Sequence, residues 1–296
     1  MRRILGRVAF ALAIAASLRV RCDRIHFLLT ANHMGGHLEA ERRHVLGFFL
    51  LVFALSLPFW IVGSLFEIQL LPGLPIGALA AFAPAIAAAL MVYQDRQLSS
   101  IQSLLCRSLD SGRIKDRRWY FLFVLFNPAV AILAFQIMRG MGIAIPNSTP
   151  LPLAIVPLGA IFFIAALGEE IGWTGYATEP VFRRWGVLLG GILLGVVWVA
   201  FHLIPLAQVD RSLEWIAWWS LGTLSLRTIM VWLYAHAGDS VFAAAVFHAT
   251  INLSWQLFPI DGSFYDPRIF SLVTLALGVL LTILLRLVSG DTRNAD

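Results

Sequence analysis

The chain is dominated by long apolar runs separated by short polar stretches. Eight of these runs carry almost no charge and are about 20 residues long, which is the length a helix needs to cross roughly 30 Å of hydrocarbon. They cover residues 45–66, 74–93, 119–138, 151–177, 186–206, 213–235, 240–258 and 269–287. The pattern predicts an all-α fold, a polytopic membrane protein built as a bundle of about eight transmembrane helices.

Composition and charge placement support this prediction. The chain has 296 residues, of which 59% are hydrophobic and 13% charged, and its mean hydropathy is +0.81. If the N-terminus is inside, eighteen of the lysines and arginines fall on the inner side, and only Arg139, Arg211 and Arg268 lie in outer loops. Since basic residues stay on the cytoplasmic side, both termini are predicted to be cytoplasmic. The net charge of +5 therefore indicates membrane lipid as a partner and no nucleic acid.

The chain divides into four predicted parts. Residues 1–44 form a basic N-terminal segment on the inner side, and their apolar stretch VAFALAIAASL is too short to span comfortably. It is interpreted as an interfacial helix, a signal-like segment or the product of an early start codon. Residues 45–150 hold the N-terminal transmembrane helices, 151–258 a core that carries the candidate chemistry, and 259–296 the last helix and a short tail.

Two further expectations concern connections and packing. The stretch 94–118 is predicted to be an inner loop at the lipid surface, and Cys22 and Cys106 both fall on the inner side, where thiols stay reduced and no disulfide is expected. Inside the fifth run, four glycines form two small-xxx-small pairs that favour close helix contact. They are Gly186, Gly190, Gly191 and Gly195.

Ionisable and amide side chains inside the apolar runs are the candidates for chemistry. A charge at the centre of a bilayer costs about 3 kcal/mol, so such residues usually face the interior of a bundle and have a function. Those within the predicted spans are Glu169, Glu170, His202, Arg227, His248 and Asn252. Each histidine taken alone has a structural role as readily as a chemical one, and Arg227 can be a buried counterion.

The spacing of these residues suggests how they act together. Adjacent helical residues lie about 100° apart, so Glu169 and Glu170 cannot point along one line, although both can face a cavity between helices. Two carboxylates in a poorly solvated site resist double ionisation unless a cation intervenes, and this makes one of them available as a general acid or base. His248 and Asn252 are four residues apart on one helix face and can jointly donate hydrogen bonds to an oxyanion.

Three motifs in this order resemble those of a known family. They are EEIGWT with Glu169, Glu170 and Thr174, WVAFH with Trp198 and His202, and HATIN with His248 and Asn252. The chain is similar in these motifs to the CAAX-processing and bacteriocin-processing (CPBP, or Abi) intramembrane proteases, whose pattern is EExxxR, then FxxxH, then HxxxN. Two positions depart from that pattern, because Trp198 replaces the phenylalanine and Thr174 replaces the arginine.

The missing arginine has a physical consequence. An arginine at position 174 would lie on the same helix face as Glu170, four residues away, and would neutralise it. Without it Glu170 must be protonated or find another cation. Arg227 is the one basic residue well inside a predicted span, so we hypothesise that it supplies the guanidinium from another helix.

The resemblance implies an intramembrane endopeptidase that hydrolyses a peptide bond of a membrane-associated protein or peptide. It implies that Glu169, assisted by His202, activates a water, that His248 and Asn252 hold the oxyanion, and that Glu170 orients the site. Family members are often labelled metalloproteases, and Glu169, His202 and His248 are the residues that would bind zinc. Because there is no HExxH motif, we favour glutamate-activated water and leave the requirement for a divalent metal open.

Two other classes of protein remain as alternatives. A non-catalytic membrane interaction protein, for example one giving self-immunity against a bacteriocin, would share the fold and tolerate Thr174. A proton-coupled transporter would also bury glutamate, histidine and arginine, although transporters commonly have paired halves and no internal repeat is visible here.

Overall fold

The computed structural model describes residues 45–66, 68–71, 74–94, 98–146 and 152–291. These residues form nine α-helices, together with a 3₁₀ helix at Ile76–Phe82, a π-helix at Trp173–Thr178 and a small antiparallel pair of strands. The strands are β1 (Gln69–Leu71) and β2 (Leu74–Pro75). The helices are α1 (Val45–Leu65), α2 (Ala83–Gln94), α3 (Leu98–Leu109), α4 (Arg118–Gly140), α5 (Pro152–Gly172), α6 (Glu179–Gln208), α7 (Leu213–His236), α8 (Val241–Gln256) and α9 (Pro267–Asp291).

The all-α, polytopic fold class is confirmed, since each of the eight predicted runs contains a helix. Five helical stretches within the described residues are long and apolar enough to cross a membrane, and one of these, Ile155–Gln208, covers two predicted runs. Neither α7 nor α8 is among them. Helix α8 has only 16 residues, and α7 carries Arg227 together with several hydroxyl side chains. One of these helices is short and the other carries polar side chains, and both contribute residues to the candidate site.

The structure corrects the prediction of a loop at 94–118, because this stretch contains the amphipathic helix α3. The Arg107 side chain anchors it, with Nη2 donating to the Tyr234 hydroxyl at 2.9 Å and lying 3.9 Å from a carboxylate oxygen of Glu179. The expectation of reduced cysteines is also wrong, since Cys106 is disulfide-bonded. Residues 1–44, including Cys22, lie outside the described residues.

A long bent helical unit carries the glutamate pair. Helix α5 continues through the π-helix into the start of α6, and the chain then reverses at Gly186, whose φ of 76° suits glycine. Gly186 is therefore a turn residue and does not belong to a small-xxx-small contact. The second glycine pair does mediate packing, because a Cβ on Gly191 would lie 3.0 Å from the Thr228 Cα and one on Gly195 would lie 3.2 Å from the Leu224 Cα. Helices α6 and α7 thus meet almost backbone to backbone.

Helix α8 is held between α5 and α4. Small side chains line its contact with α5, where Ala245 and Ala249 pack with Ala166 in a buried cluster. On the α4 side, buried Asn127 donates through Nδ2 to the Phe247 carbonyl at 3.1 Å and to the Thr250 hydroxyl at 3.0 Å. These contacts fix the turn of α8 that carries His248. The bundle therefore brings residues from α5, α6, α7 and α8 towards one interior region.

Candidate active site

The two glutamates lie at the end of α5, directly before the π-helix, and both are buried, with 5% of Glu169 and none of Glu170 exposed. Each reaches a side chain four residues further along the same helix, Trp173 for Glu169 and Thr174 for Glu170. Local widening of a helix by π-type turns often occurs at functional sites. Here Thr178 donates through its hydroxyl to the Trp173 carbonyl at 2.8 Å, five residues back, inside the widened turn.

The Glu170 carboxylate is bonded to three side chains, and one of them is a counterion. Nη1 of Arg227, from α7, lies 2.8 Å from both carboxylate oxygens, and Nη2 of the same guanidinium donates to the Thr174 hydroxyl at 3.2 Å. The Thr174 hydroxyl in turn donates to Glu170 Oε2. Nδ1 of His248 lies 2.9 Å from Glu170 Oε1. Thr174 therefore does not leave Glu170 without a counterion, because the guanidinium arrives from a different helix and the threonine connects it to the carboxylate.

Glu169 differs because only one of its oxygens is hydrogen-bonded to other described residues. Its Oε2 accepts hydrogen bonds from two indoles, that of Trp198 at 2.9 Å and that of Trp173 at 3.2 Å. Its Oε1 lies 3.9 Å from Nε2 of His248, which is too long for a direct hydrogen bond. A single water roughly 2.8 Å from each atom would bridge them, because such a water can bond to two groups that are too far apart for a direct hydrogen bond.

His248 connects the two glutamates through its two ring nitrogens. A carboxylate only accepts hydrogen bonds, so the Nδ1 that lies 2.9 Å from Glu170 Oε1 carries a hydrogen. Nε2 then points towards Glu169 and is the atom available for chemistry. The imidazole is 2% exposed and packs edge-on against the Trp198 ring, with their centroids 5.0 Å apart. Its orientation is therefore fixed by both a charged hydrogen bond and packing.

His202 and Asn252 lie outside this hydrogen-bonded group. Nδ1 of His202 lies 2.8 Å from the Trp198 carbonyl, so it donates there and leaves Nε2 free for an acceptor role. The His202 ring packs against Trp198, with their centroids 5.4 Å apart, and it is not hydrogen-bonded to either glutamate. Asn252 is partly exposed one turn beyond His248, and its side chain makes no hydrogen bond with the described residues.

Sequence reasoning missed two residues that shape the site. Trp173 was not singled out, although an aromatic residue four positions after Glu169 on a helix lies on the same face. Asn127 was also missed, because an amide in α4 carries no charge and stands far from the motifs along the chain. Its role becomes visible only from its hydrogen bond to the Phe247 carbonyl, next to His248.

The donor geometry does not match a zinc site of three protein ligands. Tetrahedral zinc holds its ligands at about 2.0–2.1 Å, which places two ligand atoms roughly 3.3 Å apart. Glu169 Oε1 and His248 Nε2 are 3.9 Å apart, and the described residues contain no group of three histidine, cysteine or acidic side chains positioned for one metal ion.

Two comparisons with known proteins bear on this cluster. The family model described as type II CAAX prenyl endopeptidase Rce1-like matches residues 151–254, the segment that carries all three motifs. CAAX prenyl protease 2 of Methanococcus maripaludis is 24% identical over 256 residues, covering 78% of this chain and 91% of that protein. Both comparisons support a membrane endopeptidase and confirm the resemblance to the CAAX-processing proteases that the motifs indicated.

Proposed function

We propose that the protein is an intramembrane endopeptidase in which Glu169 activates a water to hydrolyse a peptide bond of a membrane-associated protein or peptide. The observation that carries the proposal is the buried pair formed by Glu169 Oε1 and His248 Nε2, 3.9 Å apart and supplied by two different helices. A general base and a hydrogen-bond donor at this separation can both contact one water, and the donor can then stabilise the oxyanion that forms when that water attacks.

The reaction begins with the water between the two side chains. Its oxygen attacks the carbonyl carbon of the scissile bond, and its proton passes to Glu169 Oε1. The carbonyl oxygen becomes an oxyanion, which accepts a hydrogen bond from Nε2–H of the imidazolium form of His248 and another from the Asn252 amide. When the tetrahedral intermediate collapses, Glu169 gives the proton to the leaving nitrogen, and the products are a carboxylic acid and an amine, which become a carboxylate and an ammonium group when the acid proton passes to the amine.

Glu170 and Arg227 do not touch the reacting atoms in this mechanism. Glu170 holds His248 through Nδ1 and favours its protonated form, in the way that an acid orients the imidazole of a catalytic triad. Arg227 neutralises Glu170 and keeps that charge from competing with Glu169. His202 offers Nε2 as a second acceptor beside Trp198, and we place it as an assistant to the base, removed from the central pair.

The test uses the purified full chain reconstituted with membrane-anchored peptides. The unmodified protein should cleave, Glu169→Gln should lose at least about a thousandfold in kcat, and His202→Ala should lose less, roughly tenfold to a hundredfold. Retained folding of each variant is checked by its unfolding transition. If the unmodified protein remains folded and cleaves none of a broad set of anchored peptides, the non-catalytic interaction protein replaces this proposal.

The comparisons suggest which class of substrate to test first, as part of the same proposal. The relative is named for a CAAX prenyl protease, so the first peptides to test are those with a lipidated C-terminal cysteine motif. Activity measured before and after verified removal of metals decides whether a divalent ion is needed. Full retention of activity supports the water-activating role of Glu169 without a metal.

A further inference from the structure

We propose that Trp173 and Trp198 form an indole clamp, and that because of it Glu169 accepts and releases the catalytic proton at Oε1 only. The catalytic role of Oε1 rests on the proposed function, whereas the hydrogen bonds of the clamp do not depend on it. The clamp consists of the two indole N–H groups that donate to Glu169 Oε2 at 3.2 Å and 2.9 Å. Both tryptophans are buried, with exposures of 1% and 3%.

The assignment of the proton follows from the chemistry of the donors. An indole nitrogen can donate a hydrogen bond and cannot accept one. An oxygen that receives two such bonds must offer lone pairs to both, so a proton on Oε2 would collide with the clamp. The proton must therefore reside on Oε1, which is the oxygen that faces His248 Nε2 at 3.9 Å. The clamp thus aims the basic atom at the water position.

The two arms reach Glu169 from different elements, which fixes the carboxylate in two directions. Trp173 belongs to the π-helix and packs against Phe48 and Phe201, with ring centroids 5.7 Å and 5.6 Å away. Trp198 belongs to α6 and lies under the Arg227 guanidinium, whose Cζ is 5.6 Å from the ring centroid. A phenylalanine at position 198, as in the motif that this chain resembles, would fill part of the space and would donate no hydrogen bond.

The first test replaces each donor while keeping an aromatic ring. Trp198→Phe and Trp173→Phe should each lower kcat by roughly tenfold with little change in KM, because each removes a hydrogen bond to a charged acceptor, which is stronger than a neutral one. The double variant loses both bonds, so its kcat should fall further. Trp60→Phe is the matched control, since Trp60 is also buried and its indole nitrogen has no hydrogen-bond partner among the described residues. Equal losses in all three single variants would mean that packing alone is being measured.

The second test does not depend on activity. The indole ¹⁵N–H signals of Trp173 and Trp198, assigned by their loss in the two variants, should both shift in Glu169→Gln, where an amide oxygen replaces the charged acceptor, and the Trp60 signal should not. Signals that ignore Glu169→Gln overturn the clamp, whatever the protease assay shows. Signals that respond while the unmodified protein cleaves nothing overturn the proposed function and leave the clamp geometry standing.

A separate observation supports a second proposal, a binding site for an anionic phospholipid between the segment before α4 and helix α8. A groove with a volume of about 800 Å³ is lined on its apolar side by Phe121, Val124, Leu125 and Phe242. Lys115 and Arg117 stand at its rim, are exposed, and make no ion pair with the described residues. Neighbouring Asp116 is neutralised locally by Arg118 at 3.0 Å.

Charge and position favour this occupant. Two unpaired cations above an apolar surface match a phosphate headgroup and an acyl chain, and the charge pattern predicts that this segment lies on the inner side, where anionic lipids gather. Phe121 and Leu125 are 64% and 53% exposed, so the groove has apolar surface to cover. The combination selects a lipid with a negative headgroup over a zwitterionic one of the same chain length.

Native mass spectrometry of the detergent-purified full chain tests the lipid site with two probes of identical acyl chains, phosphatidylglycerol and phosphatidylcholine. The unmodified protein should retain phosphatidylglycerol at least severalfold more strongly. Lys115→Gln/Arg117→Gln should lose this preference, and Leu125→Trp, which fills the groove and keeps both charges, should lose the bound lipid. Arg139→Gln/Arg184→Gln removes two exposed charges elsewhere and should change nothing. Equal retention of both lipids, or an equal loss in the control pair, overturns the proposal.

Discussion

Glu169 and Glu170 are neighbours in the sequence, yet they occupy two different halves of the candidate site. Glu170 is completely buried and is bonded to Arg227, Thr174 and His248. Glu169 has one oxygen in the indole clamp and the other oxygen free to meet a water. The rotation of about 100° between adjacent helical residues sends the two acids to different neighbours. One half of the site is therefore closed and structural, and the other half is open to chemistry.

His248 belongs to both halves, so changing it should have the largest effect. His248→Ala removes the group that faces the reacting water and also leaves part of Glu170 unbonded. We expect a loss of about a thousandfold in kcat, since the oxyanion loses its charged donor. The measurement is cleavage of an anchored peptide by the reconstituted protein. His236→Ala is the control, because that histidine is exposed at the end of α7, and a similar loss there would contradict the assignment.

Breaking the closed half should reduce stability. Arg227→Met leaves the Glu170 carboxylate buried without its counterion, and removal of one partner from a buried ion pair typically costs about 3–5 kcal/mol. The free energy of unfolding, measured in detergent, should fall by that amount. Arg139→Met removes an exposed arginine and should shift it by less than about 1 kcal/mol. Equal effects of the two substitutions would show that the pair with Glu170 is not important for stability.

Asn252→Ala tests whether the open half contains a second donor to the oxyanion. The Asn252 side chain makes no hydrogen bond with the described residues, so its removal should leave the free energy of unfolding unchanged. If it donates to the oxyanion, kcat should fall by roughly a hundredfold with KM nearly constant, as for other single oxyanion donors. Asn252→Asp keeps the size and removes the donor, and it should be at least as inactive. A variant that cleaves at the normal rate would remove Asn252 from the mechanism.

Supplying a guanidinium from the end of α5 should raise the free energy of unfolding of the Arg227→Met variant, by less than that variant had lost. Thr174→Arg, made in the Arg227→Met background, places an arginine four residues after Glu170 on the same helix face. It should recover about 1–3 kcal/mol of the unfolding free energy lost in the single variant, because the buried charge regains a partner. Thr174→Met in the same background is the control for size. No recovery relative to that control would show that the relocated arginine cannot reach Glu170.

The eight apolar runs and the contact between Arg227 and Glu170 could be predicted, because both follow from the cost of charge in hydrocarbon. Hydropathy marks the spans, and a lone cation within a span has few partners available to it. The helix α3 was missed because the charges of residues 94–118, including Arg107, are typical of a loop, although Leu104 and Ser108 turn inward with helical spacing.

The clamp and the π-helix could not be predicted from the same signals. An indole hydrogen bond depends on which helices pack together, and the apolar pattern of Trp173 and Trp198 is identical to that of core residues. The position of His202 shows the same limit. Its motif predicted a partner for Glu169, whereas in the structure its Nδ1 is engaged by the Trp198 carbonyl and the nearer imidazole is that of His248.

The most direct test of this division between the two acids compares the free energy of unfolding of Glu169→Gln and Glu170→Gln in the same detergent. Glutamine at position 169 keeps an acceptor oxygen for the indoles, so the change should stay within about 1 kcal/mol. Glutamine at position 170 leaves the Arg227 charge buried and unpaired, and should destabilise the protein by about 3–5 kcal/mol. Equal changes in the two variants, or a larger loss for Glu169→Gln, would contradict the account.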